Sequence, residues 1–182
     1  MANRQITIHD KTFELTIPEA TIMQAVKRVV EQLKEDYADK TPVFVTVLNG
    51  AFVFASDVFR LVDFPCQMVF AKLSSYDGLS STGTITEQLP LDCDDIRDRH
   101  VVVLEDIVEK GYTMDYLLRR IRACHPASVE VCALSCKPER IMVPGLKVKY
   151  VGMKLPEAFI VGYGLDYNQQ GRNLRDIYSL VE

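Results

Sequence analysis

A continuous run of β-branched and apolar residues at positions 101–104 constrains the fold more than any other stretch of this chain. A strand without polar alternation is typical of a parallel sheet that helices cover on both faces. Glu105 and Asp106 follow the run directly, and we expect them to end the strand. Because open α/β sheets bind ligands at the carboxyl ends of their strands, these two acids are candidate site residues.

The segment after the two acids, residues 109–113, predicts an anion-binding turn. Glu109 and Lys110 lead into a tight turn around Gly111, and a helix is expected to begin near Thr113. Such a turn directs backbone N–H groups and a helix N-terminus toward one point, where a phosphate can bind. The segment matches neither the nucleotide P-loop nor the dinucleotide glycine fingerprint. A solvated strand end with acids near a helix N-terminus is the alternative that this stretch leaves open.

Two other strand ends carry polar turns. Residues 43–48 predict a buried strand, which Asn49 and Gly50 separate from a helical run at 52–61. That turn is either a second backbone anion site or an ordinary turn in which glycine supplies a positive φ. Residues 68–73 predict a third strand, and the polar stretch 74–84 after it contains Ser75 and Tyr76. This stretch is long enough to be an active-site lid or a surface loop.

Alternation of strands and helices through the first two thirds of the chain predicts an α/β fold with a mostly parallel, doubly wound sheet. A helix is expected from Pro18 to about Tyr37, and further strands at 129–135, 148–152 and 159–163. The N-terminal segment 4–16 alternates like a hairpin. With the C-terminal third it should form a small cap, or hood, beside the carboxyl edge of the sheet. We expect residues 1–182 to form a single domain.

Composition excludes several classes of function. The net charge is −4 with no basic block, so a nucleic-acid partner is not expected. No apolar run approaches the ~20 residues of a membrane span, and the N-terminus has no signal-peptide core, which predicts a cytoplasmic protein without a membrane partner. The five cysteines are odd in number and lack a Cys-x-x-Cys motif. They are therefore expected to be buried small hydrophobes rather than a disulfide framework or a zinc site.

Together these motifs resemble a known family. The strand that leads to Glu105, Asp106 and then acid-x-Gly-x-Thr resembles the phosphoribosyl-pyrophosphate motif of the type I phosphoribosyltransferases. The stretch FIVGYGLDYNQQGRNL at 159–174 resembles the carboxyl signature of hypoxanthine-guanine phosphoribosyltransferases. With Lys137 after its strand, Ser75 and Tyr76 opening the loop, and Asn49 and Gly50 after the first strand, the resemblance extends over nearly the whole chain.

The resemblance implies a transferase that joins hypoxanthine or guanine to phosphoribosyl pyrophosphate with Mg²⁺, as a homodimer or homotetramer. It assigns roles to groups of residues. Glu105 and Asp106 hold the ribose and, with Asp166, the metal. The turn Glu109, Lys110, Gly111, Tyr112 and Thr113 holds the 5′-phosphate, and Glu109 is the catalytic base. Asn49, Gly50 and Arg172 bind pyrophosphate, with a cis peptide implied between Leu48 and Asn49. Lys137, Phe159, Ile160 and Asp166 bind the purine, and Ser75 and Tyr76 belong to the lid.

The sequence departs from the family pattern at three positions. Glu109 stands where aspartate is usual, Lys110 follows it in place of a small hydroxyl residue, and Asn49 stands where many members carry lysine. Two other functions could use the same fold. A non-catalytic regulator that senses phosphoribosyl pyrophosphate or a purine is expected to carry an added basic or DNA-binding segment. A transferase for adenine or a pyrimidine is disfavoured because the ammonium of Lys137 would select a 6-oxo group over a 6-amino group.

Overall fold

The computed structural model of the protein describes residues 4–75 and 85–181. In chain order the elements are β1 (Gln5–Ile8), β2 (Lys11–Ile17), α1 (Glu19–Tyr37), β3 (Val43–Leu48), α2 (Phe52–Leu61), β4 (Gln67–Ser75), β5 (Ile85–Leu89), α3 (Cys93–Ile96), β6 (His100–Val108), α4 (Tyr112–Ala123), β7 (Ser128–Cys136), a 3₁₀ turn (Pro138–Arg140), β8 (Tyr150–Met153), β9 (Ile160–Val161) and β10 (Ile177–Leu180).

The main sheet has six strands in the order β5-β4-β3-β6-β7-β8. Strands β4, β3, β6, β7 and β8 run parallel, whereas β5 pairs antiparallel with β4 at one edge. The order along the chain reverses at β3, with β4 on one side and β6 on the other. Open α/β sheets bind ligands at such a switch point, outside the carboxyl ends of the strands.

Helices cover both faces of this sheet, as the unbroken apolar strands predict. Alternate residues of β3 and β6 point to opposite faces. Phe44, Val102 and Leu104 pack with α1 and α2. Val45 and Val103 pack on the other face with α3 and α4. The prediction of a doubly wound α/β sheet is confirmed.

Contacts at its two ends fix the long helix α1. At the N-terminus, the Asp176 carboxylate accepts a hydrogen bond of 2.7 Å from the Glu19 N–H, one of the N–H groups that a helix leaves without an internal partner. At the other end, Asp36 accepts hydrogen bonds from Lys149 at 2.8 Å and from the Tyr150 hydroxyl at 2.6 Å. These two hydrogen bonds hold the pKa of Asp36 below its ordinary value.

The hood is a four-stranded antiparallel sheet in the order β1-β2-β10-β9. Phe13, Val161 and Tyr178 lie in its small core. It is joined to the main sheet through a hydrogen bond of 2.7 Å from the Tyr163 hydroxyl to Asp57 of α2. The predicted hairpin and C-terminal cap are thus one structure, which the C-terminal strand β10 completes by pairing with β2.

The expectation that the two acids end the central strand is wrong. Strand β6 continues through Glu105 and Asp106 as far as Val108. It keeps its pairing with β7, with Glu105 opposite Ala133 and Val108 opposite Cys136. Backbone hydrogen bonding therefore carries the strand past residues whose side chains disfavour a sheet interior.

The expectation that the chain forms no disulfide is also wrong. Cys93 at the start of α3 is bonded to Cys124, which directly follows α4, with a Cα–Cα distance of 5.0 Å. The two residues are 31 apart in sequence, and only the packing of α3 and α4 on one face of the sheet brings them together. Cys132 and Cys136 are free and buried, as expected, and Cys66 is free and half-buried. Within 4–75 and 85–181, no helix combines the length and apolar character needed to cross a membrane.

Candidate active site

Glu105 and Asp106 lie at the carboxyl end of the central strand, half-buried and side by side. Each carboxylate accepts a hydrogen bond from the following backbone N–H: Asp106 N donates to Glu105 at 3.1 Å, and Ile107 N donates to Asp106 at 2.6 Å. Burial raises the pKa of Glu105 well above its ordinary value, and the neighbouring charge of Asp106 raises it further. Burial also raises the pKa of Asp106, although hydrogen bonding and the charge of Arg172 oppose the rise. A cationic ligand would favour the ionised form of both acids.

The turn after β3 packs directly against the second acid. A Cβ atom placed on Gly50 would lie 1.7 Å from the Asp106 Oδ2 atom, so only glycine allows this approach. Gly164, which follows β9, packs closely against Gly50 in turn: a Cβ atom on Gly164 would be 2.1 Å from the carbonyl oxygen of Gly50. The Leu48–Asn49 peptide preceding this turn is cis, as the resemblance implied.

Arg172 is held next to these glycines by two contacts of its guanidinium. One nitrogen donates to the Gly164 carbonyl at 2.7 Å, and another forms an ion pair with Asp166, also at 2.7 Å. The second oxygen of Asp166 accepts from the Gln169 N–H at 2.7 Å. Five sequence-predicted residues, namely Asn49, Gly50, Asp106, Asp166 and Arg172, are thus brought to one region where three separate chain segments meet.

Lys137 lies in a second region, one residue beyond the end of β7. Its side chain is only 6% exposed, and its Nζ atom is 2.7 Å from Glu109 Oε1. A second acid, Glu157, lies 3.8 Å from the same nitrogen and also forms an ion pair with Arg140. A buried ammonium needs such partners because removing an unpaired charge from water is costly. The lysine side chain therefore has a fixed position between two carboxylates.

Phe159 and Ile160 follow Glu157 by two and three residues and connect this second region to the hood sheet. Phe159 is 50% exposed and is the most exposed phenylalanine in the described part of the chain. Its carbonyl oxygen accepts a hydrogen bond from Leu180 at 2.8 Å, and Ile160 pairs with Ser179 of β10. The backbone that carries the ring is therefore fixed in the hood sheet.

The predicted phosphate turn leads into α4, which begins at Tyr112. Gly111 has a φ of 85° in the left-handed region, and a Cβ atom there would lie 2.5 Å from Leu146, so the turn requires glycine. The Lys110 carbonyl is fixed by a hydrogen bond of 3.0 Å from Met142. Helix α4 directs the unpaired N–H groups of its first turn, which includes Thr113, toward the carboxyl edge of the sheet.

The predicted lid and metal site are only partly described. Ser75 is the last residue of β4, and Tyr76 lies outside the described residues. Within the described chain, no group of three or more acids, histidines or cysteines is preassembled to hold a metal. The chemistry of the available donors nevertheless suits Mg²⁺, which commonly binds one or two carboxylates and completes its shell with substrate phosphates and water. The half-buried acids Glu105 and Asp106 supply such carboxylates.

Sequence reasoning missed Glu157, Arg140 and Gly164. Glu157 lies two positions before Phe159, in a loop without periodicity, and Arg140 lies in a short 3₁₀ turn. Neither position carries a local pattern that distinguishes it from a surface charge. Gly164 lies inside the stretch that resembles the family's carboxyl signature. Its φ is 98°, a conformation that favours glycine, so the glycine at this position was a usable signal of a tight backbone turn.

Comparison with known proteins agrees with this architecture. The family model of the phosphoribosyl transferase domain matches residues 18–168. A hypoxanthine phosphoribosyltransferase of Salmonella typhimurium is 37% identical over 93% of this chain and 96% of its own length. A hypoxanthine-guanine-xanthine phosphoribosyltransferase of Tritrichomonas foetus is 36% identical over 88% of this chain and 87% of its own. A crystal structure of a hypoxanthine-guanine phosphoribosyltransferase from Bacillus anthracis superposes with a TM-score of 0.85 at 34% identity, covering 92% of this chain and 96% of that one. The chain therefore belongs to the phosphoribosyltransferase family, among the hypoxanthine-guanine phosphoribosyltransferases.

Proposed function

We propose that this protein is a purine-salvage enzyme that transfers the phosphoribosyl group of phosphoribosyl pyrophosphate to hypoxanthine or guanine. The products are the nucleoside 5′-monophosphate and pyrophosphate. The observation that carries the proposal is the buried ammonium of Lys137, which lies 2.7 Å from Glu109 and also pairs with Glu157, two residues before the half-exposed Phe159. These groups supply a donor for a 6-oxo group, a proton acceptor and a stacking face.

Recognition of the base follows from the fixed charge of Lys137. An ammonium donates a strong hydrogen bond to a carbonyl oxygen, but a 6-amino group cannot accept it, so adenine would leave a buried charge poorly paired. Phe159 provides an apolar face for any purine ring, and the Ile160 backbone provides polar groups for the ring edge. Asp166, whose carboxylate pairs with Arg172 at 2.7 Å, would contact the purine next to the pyrophosphate.

The phosphoribosyl group would lie along the carboxyl edge of the sheet. Glu105 and Asp106 accept hydrogen bonds from the ribose hydroxyls. The turn 109–113 and the N-terminus of α4 bind the 5′-phosphate through backbone N–H groups, and Lys110 adds a positive charge. Asn49, Gly50 and Arg172 contact the pyrophosphate.

Mg²⁺ would be held by Glu105 and Asp106, with Asp166 nearby, and when bound it neutralises charge on the pyrophosphate oxygens. The protein's own groups account for the remaining steps. The bond from the ribose C1′ to pyrophosphate breaks as a ring nitrogen of the purine bonds to C1′. Positive charge then develops on the ribose beside Glu105 and Asp106, and negative charge develops on pyrophosphate beside Arg172. Glu109 accepts the proton that the purine loses. Closure of the loop that begins at Ser75 and Tyr76 would exclude water, which competes as a nucleophile.

A steady-state assay with four purines tests the proposal. Pyrophosphate release should require phosphoribosyl pyrophosphate and Mg²⁺ and should occur with hypoxanthine or guanine but not with adenine. Xanthine is the fourth base, because one relative is named for it. If no oxopurine is turned over while phosphoribosyl pyrophosphate binds tightly, the chain is instead a non-catalytic regulator that senses this ligand.

Replacement of Lys137 by Ala provides a residue-level test of the same proposal. A charge-assisted hydrogen bond is worth roughly 1.5–3 kcal/mol, so kcat/KM for hypoxanthine should fall by about one to two orders of magnitude. Binding of phosphoribosyl pyrophosphate, measured by calorimetry, should change little. A fall in kcat/KM of less than about threefold would contradict the assigned role.

We further propose that residues 1–182 form one domain that assembles as a homodimer or homotetramer in the cytoplasm. The hydrogen bond from Tyr163 to Asp57 supports the single domain because it joins the hood to α2. Phe52 and Phe59, seven residues apart on α2, are both exposed and provide an apolar face for a second copy. Light scattering coupled to size exclusion tests the assembly, and a monomer at micromolar concentration would contradict it.

A further inference from the structure

The ring of Phe159 is held from one side by other aromatic side chains. Tyr167 lies edge-on to it, with ring centroids 5.9 Å apart and planes at 81°. Phe13 of β2 contacts both, at 6.3 Å from Phe159 and 6.1 Å from Tyr167. Edge-to-face packing of this kind is attractive and has a preferred geometry. Half of the Phe159 surface nevertheless remains exposed.

Tyr167 is in turn fixed by the turn between β1 and β2. Its hydroxyl donates a hydrogen bond of 2.8 Å to Asp10, and the Lys11 ammonium lies 5.7 Å from its ring centroid. The ring of His9 packs edge-on at 5.8 Å. Three consecutive residues of the hairpin, two in its turn and the first residue of β2, therefore contact one tyrosine of the C-terminal segment.

The backbone around Tyr167 is also constrained. Tyr167 and Gln170 exchange two backbone hydrogen bonds, of 2.9 and 3.0 Å. The two residues between them, Asn168 and Gln169, both have positive φ values, 48° and 66°. His9 Nε2 lies 3.3 Å from the Asn168 carbonyl oxygen. Tyr167 thus has a fixed backbone, a fixed hydroxyl and a packed ring.

We propose that Tyr167 and Asp10 are positioning residues for the purine base: through their hydrogen bond, the N-terminal hairpin orients the Phe159 ring on which the base stacks. The inference rests on the proposed function and adds to it the hairpin, which precedes the residues 18–168 that match the family model. An exposed aromatic ring that is not held must be ordered when the base binds, which weakens binding. A ring that Tyr167 already holds avoids that cost, and half of the Phe159 surface stays exposed for the purine.

The decisive measurement compares the KM for hypoxanthine with the KM for phosphoribosyl pyrophosphate. Tyr167→Leu removes the edge-on contact, and the KM for hypoxanthine should rise about three- to tenfold, the range expected for one aromatic pair. The KM for phosphoribosyl pyrophosphate should stay within about twofold, because the Tyr167 side chain contacts the hairpin, Phe13 and Phe159. A purely structural role for Tyr167 would instead lower the melting temperature and change both KM values together.

Milder variants keep the test valid if the leucine variant does not fold. Tyr167→Phe and Asp10→Asn each alter the hydroxyl–carboxylate bond and should each raise the KM for hypoxanthine about two- to threefold. The double variant should be no worse than either single one, because both changes affect one bond. Tyr178→Phe is the matched control: it removes a 3.4 Å hydroxyl contact with Asp176 in the same hood sheet and should leave both KM values unchanged.

Binding measurements distinguish failure of this inference from failure of the proposed function. Calorimetry with inosine monophosphate and with ribose 5-phosphate compares a ligand that has the base with one that lacks it. Weaker binding of the first alone in Tyr167→Phe would support the inference even if no oxopurine were turned over. Unchanged binding of inosine monophosphate in Tyr167→Phe and Asp10→Asn, in an active wild-type enzyme, would overturn the inference and leave the proposed function intact.

Discussion

Glu109 is one of the three positions at which the sequence differs from the expected family pattern, and shortening or neutralising it gives the most informative prediction. Its Oε1 atom lies 2.7 Å from the Lys137 nitrogen. Glu109→Asp removes one methylene, which shortens the side chain by roughly 1.5 Å and increases this separation to about 4.2 Å if the backbone does not move. That distance is beyond hydrogen-bonding range. Glu109→Gln keeps the reach but removes both the charge and the basicity of the carboxylate.

The expected magnitudes follow from burial. A charge-assisted hydrogen bond is worth roughly 1.5–3 kcal/mol, but the Glu109 side chain is 44% exposed, so solvent screening reduces its contribution to about 1–2 kcal/mol. Glu109→Asp should therefore lower kcat/KM about 5- to 30-fold, although it restores the residue that is usual in the family. Glu109→Gln should lower kcat about a hundredfold, which is at the low end for loss of a general base.

Steady-state kinetics with hypoxanthine, from pH 6 to 9, measure both effects. The KM for phosphoribosyl pyrophosphate should change little in either variant. A double-mutant cycle with Lys137→Met should give a coupling energy of about 1 kcal/mol or more if the ion pair acts as one unit. A kcat for Glu109→Gln near that of the wild type would refute the reasoning: water would take the proton, and catalysis would rest on Lys137, Mg²⁺ and the acid pair.

Three further predictions concern the frame of the site. Gly50→Ala places a methyl group where Asp106 now lies, so activity should fall tenfold or more while the melting temperature changes little; an active variant would show that the acid can move without penalty. Asp36→Asn should destabilise the protein at neutral pH. Because the pKa of Asp36 is lowered in the folded state, its contribution is present above about pH 4, near the unfolded value, and is lost as the pH falls through the lower folded value. The free energies of unfolding of the wild type and of Asp36→Asn, measured by urea titration from pH 7 down to 3, should therefore converge at the acid end. Cys93→Ser should lower the free energy of unfolding by about 3–4 kcal/mol, the amount expected for a 31-residue loop, and a dithiol reductant should have no further effect on this variant; free thiols at Cys93 and Cys124 in the purified protein would contradict the disulfide.

The main sheet and the site residues at its carboxyl edge could be predicted from the sequence, because short local patterns specify the strands. The uninterrupted apolar character of β3 and β6 defines strands buried on both faces, and parallel strands place their carboxyl ends at one edge. Asn49, Gly50, Glu105 and Asp106 had to meet there once those strands were recognised. The tight turn around Gly111 was likewise predictable from the local pattern, and its φ of 85° agrees with that prediction.

Tertiary structure alone decided which residues contact each other across segments that are distant along the chain. Glu157 reaches both Lys137 and Arg140 from an irregular loop, and Tyr167 reaches Asp10 across 157 residues. The continuation of β6 past its two acids depends on pairing with β7, and the bond between Cys93 and Cys124 depends on how α3 and α4 pack. Side-chain periodicity records only which face of an element is buried. Contacts between loops, and the pairing of a strand end with its neighbour, are set by the fold as a whole and leave no periodic trace in the sequence.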